Sequence, residues 1–241
     1  MAPVELTWGA ATVTGQREDN QDRFLAEPPV FAVADGMGGH AGGAAAAETV
    51  VEALRALTGS ETTTVEKIRL ALLRADGEIR AFRGPDTAGA GTTVAGVALV
   101  DEGDGPQWAV FHVGDSRVYR WHDGQLEPLT TDHSVVQELI DAGYISDESA
   151  ATHPQRHIIT RALGVGARSE PDVALLPIVA GEHFLACSDG LTGELDDGRL
   201  AQAMAAGVNP HIAQALTSEA EHVGARDNVT VVVVGGRLAT V

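Results

Sequence analysis

An α+β fold built from antiparallel layers is predicted by three features of this 241-residue chain. Strand-like and helix-like stretches come in blocks, not in strict alternation. Asp-Gly pairs stand between neighbouring strand-like runs, where they signal hairpins. Hydrophobic residues make up 44% of the chain and aromatics only 4%. That is enough for one sizeable core built from Val, Leu, Ile and Ala.

The elements follow in order. "FAVAD" (31–35) reads as a strand that ends in an acid. "GGAAAAETVVEALRAL" (42–57) and "TTVEKIRLALLRADGEIRAF" (63–82) carry apolar residues at helical spacing. The pattern then turns strand-like in "TTVAGVALV" (92–100), "QWAVFHV" (107–113) and "RVYRW" (117–121), with hairpin signals in "DEGDGP" and "WHDGQ". Residues 132–164 are polar and mixed, with one helical stretch at "SVVQELIDAG" (134–143). "DVALLPIV" and "EHFLACSD" return to strand. Two short helices, near "GRLAQAMAA" and "PHIAQALTSEAEHV", precede a last strand, "NVTVVVVGG". No repeat, low-complexity tail or linker interrupts the chain, so one domain spanning 1–241 is expected.

The formal net charge is −18. Such a surface repels nucleic acid and anionic membranes. It also obliges any anionic substrate to meet bound divalent cations, which invert the local field. A single cysteine, Cys187, excludes an internal disulfide and suits a reducing compartment. "MAPVELTWGA" has neither the basic nor the apolar region of a signal peptide. No apolar run approaches the roughly 18 residues that span a bilayer. A soluble, cytoplasmic protein is expected.

The acid after "VFAVADG" is one of several at strand ends. "WAVFHVGDS" ends at Asp115, "HFLACSDG" at Asp189, and "RDNVTVVVV" reverses the order, with Asp227 just before the strand. Asp22 lies in "REDNQDRF". Acids at strand ends can converge on one rim of a sheet, where an all-oxygen set selects a hard ion: Mg²⁺, Mn²⁺ or Ca²⁺. The alternative for any one Asp-Gly pair is ordinary turn chemistry. A second rival is the dinucleotide fingerprint, since Gly36, Gly38 and Ala41 match G-x-G-x-x-A. That motif expects a buried strand after the helix, whereas a second helical stretch follows here. Cys187 lacks the C-x₅-R loop of a thiol phosphatase and reads as a buried structural thiol.

In order along the chain, "GQREDNQD", "VADGMGGHAGG", "GAGTT", "HVGDSRVYR", "LTTDHS", "HPQRHIITRALG", "CSDGL" and "RDNVTVVVV" resemble the bacterial metal-dependent type 2C serine/threonine protein phosphatases. The resemblance implies two packed antiparallel β-sheets flanked by helices, a four-layer α-β-β-α sandwich. It implies hydrolysis of phosphoserine and phosphothreonine in proteins by direct attack of a metal-bridging hydroxide. Two core Mn²⁺ or Mg²⁺ ions and a weaker third are implied. Asp35 would bridge the two core ions, with the Gly36 carbonyl as a further ligand; Asp189 and Asp227 would complete the first ion's ligands, Asp22 would serve the second directly or through water, and Asp115 with Asp189 would hold the third. Arg17 matches the phosphate-binding arginine and His40 the candidate general acid. Gln21 stands where many relatives have Glu, and Asn228 would orient Asp227 from behind. His112 is expected to line the strand before Asp115, and His133 to support the edge of the site. Residues 132–164, with His153 and His157, resemble the family's flap. Expected partners are phosphorylated proteins, including a serine/threonine kinase or its substrates, met by a monomer. A non-catalytic phosphoprotein-binding module would lack metal-ligand acids, and a structural Ca²⁺ domain would give Arg17 and His40 no purpose.

Overall fold

A computed structural model describes residues 4–38, 41–82, 84, 87–150, 152–167 and 169–238. Strands and helices are numbered in chain order. One five-stranded antiparallel sheet runs β1 (Val4–Val13), β12 (Val229–Leu238), β11 (His183–Cys187), β8 (Arg117–His122), β9 (Gln125–Pro128). A second runs β10 (Asp172–Pro177), β7 (Pro106–Val113), β6 (Val94–Asp101), β3 (Val30–Ala34), β2 (Arg23–Glu27). A short ribbon pairs β4 (Gly36–Met37) with β5 (Gly91–Thr92). The helices are α1 (Ala41–Arg55), α2 (Val65–Arg80), α3 (Val135–Asp141), α4 (Asp147–Ala150), α5 (Asp189–Thr192), α6 (Asp197–Met204) and α7 (Ile212–Val223).

The two-residue period of a strand sorts its side chains between two cores. On β3, Phe31 and Val33 join Trp108, Val110, Phe184, Val232 and Val234 between the sheets. Val30, Ala32 and Ala34 face the other way, onto Val50, Leu54, Ile68 and Leu72 of α1 and α2. On the opposite side Leu185, Cys187, Val231 and Val233 pack on Leu200, Met204, Leu216 and Ala220 of α6 and α7. The layers are therefore helix, sheet, sheet, helix. The central strands are buried on both faces, which is why they read as unbroken apolar runs.

Local signals place the helices. Thr64 caps α2 by accepting from Lys67 N–H, and Ser134 caps α3 by accepting from Gln137 N–H. Gly224, at φ 106°, closes α7 in the left-handed conformation that glycine adopts freely. β1, β2, β4, β9 and α4 lie beyond the expected set. β1 is an edge strand with a single buried residue, so its apolar signal is weak. β2 and β9 are short. The expected strand ending in Asp189 stops at Cys187, and Asp189 opens the one-turn α5 instead.

Candidate active site

Sheet direction alone gathers the acids. β3 and β7 are both antiparallel to β6, so they run parallel and end on the same rim. β2 is antiparallel to β3, which puts its start, just after Asp22, on that rim too. In the other sheet β11 and β12 are antiparallel, so the end preceding Asp189 meets the start following Asp227. Only Gly114–Ser116 separate β7 from β8, and that short crossing joins the two rims at Asp115.

The Asp-Gly pairs fall into two physical classes. Gly124, in the β8–β9 hairpin, has φ 79° and nothing within 4 Å of a built Cβ, so it is a turn glycine. Gly36 and Gly190 are close-approach glycines. A Cβ on Gly36 would lie 2.2 Å from Gly43 O and 2.7 Å from Gln21 O, and one on Gly190 would lie 2.0 Å from Asn228 O. These contacts draw α1 against the Asp35 loop and Asp189 against the Asp227 segment. At Asp35 and Asp189 the following glycine therefore serves close packing, unlike the turn glycine Gly124.

The backbone of Asp35 is latched to the β5–β6 segment. Its N–H donates to Thr93 Oγ1 at 3.1 Å, and its carbonyl accepts from Thr93 N–H and the Thr92 hydroxyl, each at 2.9 Å. Asp22 is buried at 2% exposure, with Oδ2 accepting from the Ser188 hydroxyl at 2.8 Å. Its other oxygen, Oδ1, and Asp115 Oδ1 are buried with no hydrogen-bond partner.

The electrostatics show one crowded cluster. Burial pushes Asp35 well above the carboxylate range, and the charges of Asp22, Asp189, Asp115 and Asp227 add to it. Burial likewise raises Asp22 to about 6, with Asp189 and Asp227 contributing against hydrogen bonds from Thr230 and Ser188. Asp115 rises to about 7 through burial, then Asp189 and Asp132. Asp189 is raised by burial and Asp227, offset by a hydrogen bond with Asp35. Crowded acids that repel one another, two of them buried with orphaned oxygens, fit hard divalent cations.

Arg17 is exposed and donates from Nη2 to Asp227 Oδ2 at 2.7 Å. Its partner is therefore a carboxylate of the cluster, not the neighbouring Glu18 or Asp19. Asn228 acts on Asp227 through its backbone N–H, which donates to Asp227 Oδ1 at 2.8 Å. Its side chain does something else. Oδ1 accepts from Gln21 N–H at 2.8 Å, and Nδ2 donates to Thr14 O at 2.9 Å and Asp19 O at 3.0 Å. Asn228 thus pins the segment that carries Arg17, Gln21 and Asp22. His40 lies outside the described residues.

Arg117 and Asp132, for which the sequence suggests no role, tie the flap to the rim together with His133. Arg117 grips Asp132 through two hydrogen bonds of 2.8 and 2.7 Å. His133 Nδ1 accepts from Gly114 N–H at 3.0 Å, one residue before Asp115, and its ring stacks on His112 at 4.5 Å. The motifs "GDSR" and "TTDHS" hold both partners, yet nothing in one sequence says that they meet. Potential ligand atoms of His112, His133 and Asp172 lie within 4.8 Å of one another. Arg161, however, donates to both Asp172 oxygens at 3.2 and 3.0 Å, and His112 Nε2 pairs with Thr131 O. This group is a hydrogen-bonded anchor for the flap. Among the described residues no helix is long and apolar enough to cross a membrane.

Comparison with known proteins bears on this geometry. A family model described as protein phosphatase 2C matches residues 13–223. The chain is 37% identical over 221 residues to the serine/threonine protein phosphatase PstP of Mycobacterium tuberculosis, covering 90% of this chain and 42% of PstP. It therefore spans less than half the length of that relative. It is 34% identical over 243 residues to the serine/threonine phosphatase stp of Listeria innocua, covering 96% of this chain and 94% of the relative. The crystal structure of M. tuberculosis PstP superposes with a TM-score of 0.88 at 36% identity, over 95% of this chain and 98% of the other. A PstP catalytic domain in complex with two manganese ions superposes at 0.86 and 34% identity, over 97% and 99%. The chain belongs to the protein phosphatase 2C family.

Proposed function

We propose that this chain is a Mn²⁺- or Mg²⁺-dependent protein phosphatase that hydrolyses phosphoserine and phosphothreonine in proteins. The observation that carries the reading is the carboxylate cluster on the joined sheet rims, with two orphaned buried oxygens and a guanidinium at its mouth. The family membership and the manganese in a relative of the same fold support it. Asp35 is proposed to be shared by two ions as a bridging ligand, with the Gly36 carbonyl as a further ligand; Asp189 and Asp227 would complete the first, Asp22 would serve the second directly or through water, and Asp115 with Asp189 would hold a weaker third. When bound, such ions lower the pKa of a water for in-line attack at phosphorus and neutralise the transferring group.

The chain's own groups do the rest. Arg17 can turn from Asp227 to hold two phosphate oxygens, a geometry its planar guanidinium suits. Asn228 keeps the Arg17 segment in place. His40, from its position after the glycine turn, is proposed to protonate the leaving serine or threonine oxygen. Gln21, where many members of the family have Glu, is proposed to ligate or orient water through its amide oxygen without adding charge. Residues 1–241 are proposed to act as one phosphatase domain, monomeric, with 132–164 as a substrate-selecting flap. Its partners are phosphorylated proteins, among them kinases or their substrates. The test is turnover of para-nitrophenyl phosphate with Mn²⁺ and with EDTA, then of phosphoserine, phosphothreonine and phosphotyrosine peptides. Mn²⁺-dependent turnover with the first two peptides supports the reading, and turnover undiminished in EDTA contradicts it.

A further inference from the structure

One acid of the cluster is held by hydroxyls from distant parts of the chain. On β12 the face that sends Val232 and Val234 between the sheets carries Thr230 next, at the rim. Its antiparallel partner on β1 is Thr12, and the two hydroxyls lie 2.7 Å apart. Ser188, just past the end of β11, is tied to the same residue. Thr230 N–H donates to Ser188 Oγ at 2.9 Å, and Ser188 N–H to Thr230 O at 3.1 Å. Both Ser188 and Thr230 are fully buried.

Asp22 arrives from the other sheet, one residue before β2, and its carboxylate lands on these hydroxyls. Ser188 Oγ donates to Asp22 Oδ2 at 2.8 Å, and the Thr230 hydroxyl is a second donor to the carboxylate. The direction of the remaining bonds follows. An ionised carboxylate can only accept. The Thr230 proton is therefore committed to Asp22, so Thr12 must donate to Thr230 Oγ1. Thr12 Oγ1 in turn accepts from Asn20 Nδ2 at 2.8 Å. Asn20 Oδ1 accepts the Asp22 N–H at 2.9 Å, which closes the ring. Every hydroxyl in it directs its proton toward one carboxylate, an arrangement in which successive bonds polarise one another.

The ring is lopsided. It holds Asp22 through Oδ2, and Oδ1 is buried with no partner. Turning the carboxylate to exchange its oxygens would break the Ser188 bond inside a fully buried site. Among the neighbouring carboxylates that press on Asp35, Asp22 acts most strongly. Ser188 and Thr230 also lie in the segments that carry Asp189 and Asp227. The strands that bring those two acids to the rim thus bring the donors for Asp22 as well.

Resting on the metal-dependent reading above, we infer that Ser188 and Thr230, backed by Thr12 and Asn20, are positioning residues for the second ion: they fix Asp22 as a one-oxygen acceptor that offers Oδ1 alone to that ion or to its water. The hydroxyls serve the metal centre without touching substrate.

The test is calorimetric titration of the full metal-free chain with Mn²⁺. Thr230→Val keeps the shape of the side chain and removes its proton, Thr230→Ser keeps the proton, and Ser188→Ala removes the other donor. Two tight Mn²⁺ equivalents are expected in the wild type. Thr230→Val and Ser188→Ala should each weaken one of the two by about 10–100-fold, the usual cost of removing a group that orients a metal ligand, and leave the other within about threefold. Thr230→Ser should stay near wild type. Thr12→Val lies on the exposed edge strand, away from the buried donors, and should weaken the same equivalent by a smaller factor. It keeps the test open if Thr230→Val lacks a native melting curve. Unchanged Mn²⁺ binding in Ser188→Ala and Thr12→Val, equal weakening of both equivalents, or a Thr230→Ser protein as impaired as Thr230→Val overturns the assignment. A wild type that takes up no Mn²⁺ and shows no Mn²⁺-dependent turnover of para-nitrophenyl phosphate overturns the reading beneath it, a result distinct from a wild type and variants that bind Mn²⁺ alike.

Discussion

Arg17 Nη2 lies 2.7 Å from Asp227 Oδ2, so the cation at the mouth of the site is held by one of the carboxylates it guards. Both side chains are substantially exposed, and an exposed ion pair contributes at most about 1 kcal/mol. The guanidinium can therefore leave Asp227 for a phosphate at little cost. The Asp227 oxygen it releases is then available to a metal ion.

Arg17→Ala should raise KM and lower kcat/KM by about 10- to 100-fold, the loss of a charged hydrogen-bonding partner worth about 1.5–3 kcal/mol. Arg17→Lys should recover only part of this, since an ammonium lacks the two-pronged geometry. Steady-state kinetics with para-nitrophenyl phosphate and excess Mn²⁺ measure both. An unchanged kcat/KM in the alanine variant would place Arg17 outside the phosphate site.

Asp35 is raised first by burial and then by four neighbouring carboxylates, Asp22, Asp189, Asp115 and Asp227. Asp35→Asn should remove high-affinity Mn²⁺ binding in calorimetry and abolish turnover, while the circular dichroism spectrum stays native. Wild-type Mn²⁺ affinity in that variant would rule out Asp35 as a bridging ligand.

The raised acids also fix how stability depends on pH. The folded values of about 6 for Asp22 and about 7 for Asp115 exceed the ordinary carboxylate value near 4. Between about pH 4 and 7 the folded chain therefore binds more protons than the unfolded one, and stability falls as pH rises through that window. In EDTA the melting temperature should be lower at pH 8 than at pH 6. Mn²⁺ should raise it more at pH 8, where it binds already deprotonated ligands. Asp115→Asn should melt higher than wild type at pH 8 in EDTA. A lower melting temperature for that variant would show that the buried charge of Asp115 is compensated in some other way.

Asn228 holds three backbone groups from a segment more than 200 residues away in sequence. Asn228→Ala removes the side-chain partner of the part-buried Gln21 N–H and of the Thr14 and Asp19 carbonyls, a combined loss of about 1–3 kcal/mol because the exposed Asp19 can turn to water. The melting temperature should drop by several degrees and KM should rise, because Arg17 rides on the loosened segment. A rise in KM without thermal destabilisation would instead mean that the Asn228 amide touches the substrate.

What could be read from sequence and what could not follows from the range of each interaction. Asp35, Asp115, Asp189 and Asp227 were legible because each borders a strand buried on both faces, and an unbroken apolar run is a local signal. The helices were legible from their spacing and caps. β1 was not, because an edge strand with one buried residue carries almost no apolar pattern. The Asn228 side chain looked like a support for Asp227 because the two are adjacent. Its actual partners, Thr14, Asp19 and Gln21, meet it only after β1 has paired with β12. The Arg117–Asp132 grip, 15 residues apart, and the His133–Gly114 bond, 19 apart, were hidden for the same reason.

His40 is expected to supply the proton to the leaving alkoxide. The motivation is its sequence position, just past the turn that begins at Gly36, together with the need of the chemistry. The contribution of a general acid depends on how badly the leaving group needs a proton. An aryl oxide leaves easily, whereas a serine or threonine alkoxide does not. His40→Ala should therefore slow phosphopeptide hydrolysis by roughly 10²-fold or more, and para-nitrophenyl phosphate hydrolysis far less. The ratio of the two rates is a better measure than the acidic limb of a pH profile. Asp22 and Asp115 take up protons near pH 6 and 7 in the metal-free protein, so metal loss at low pH depresses both substrates alike. Excess Mn²⁺ makes the distinction. If His40→Ala slows both substrates equally and added Mn²⁺ restores both, His40 supports metal binding and another group donates the proton. If the phosphopeptide defect persists at saturating Mn²⁺ while aryl phosphate turnover stays near wild type, the missing function is the proton itself.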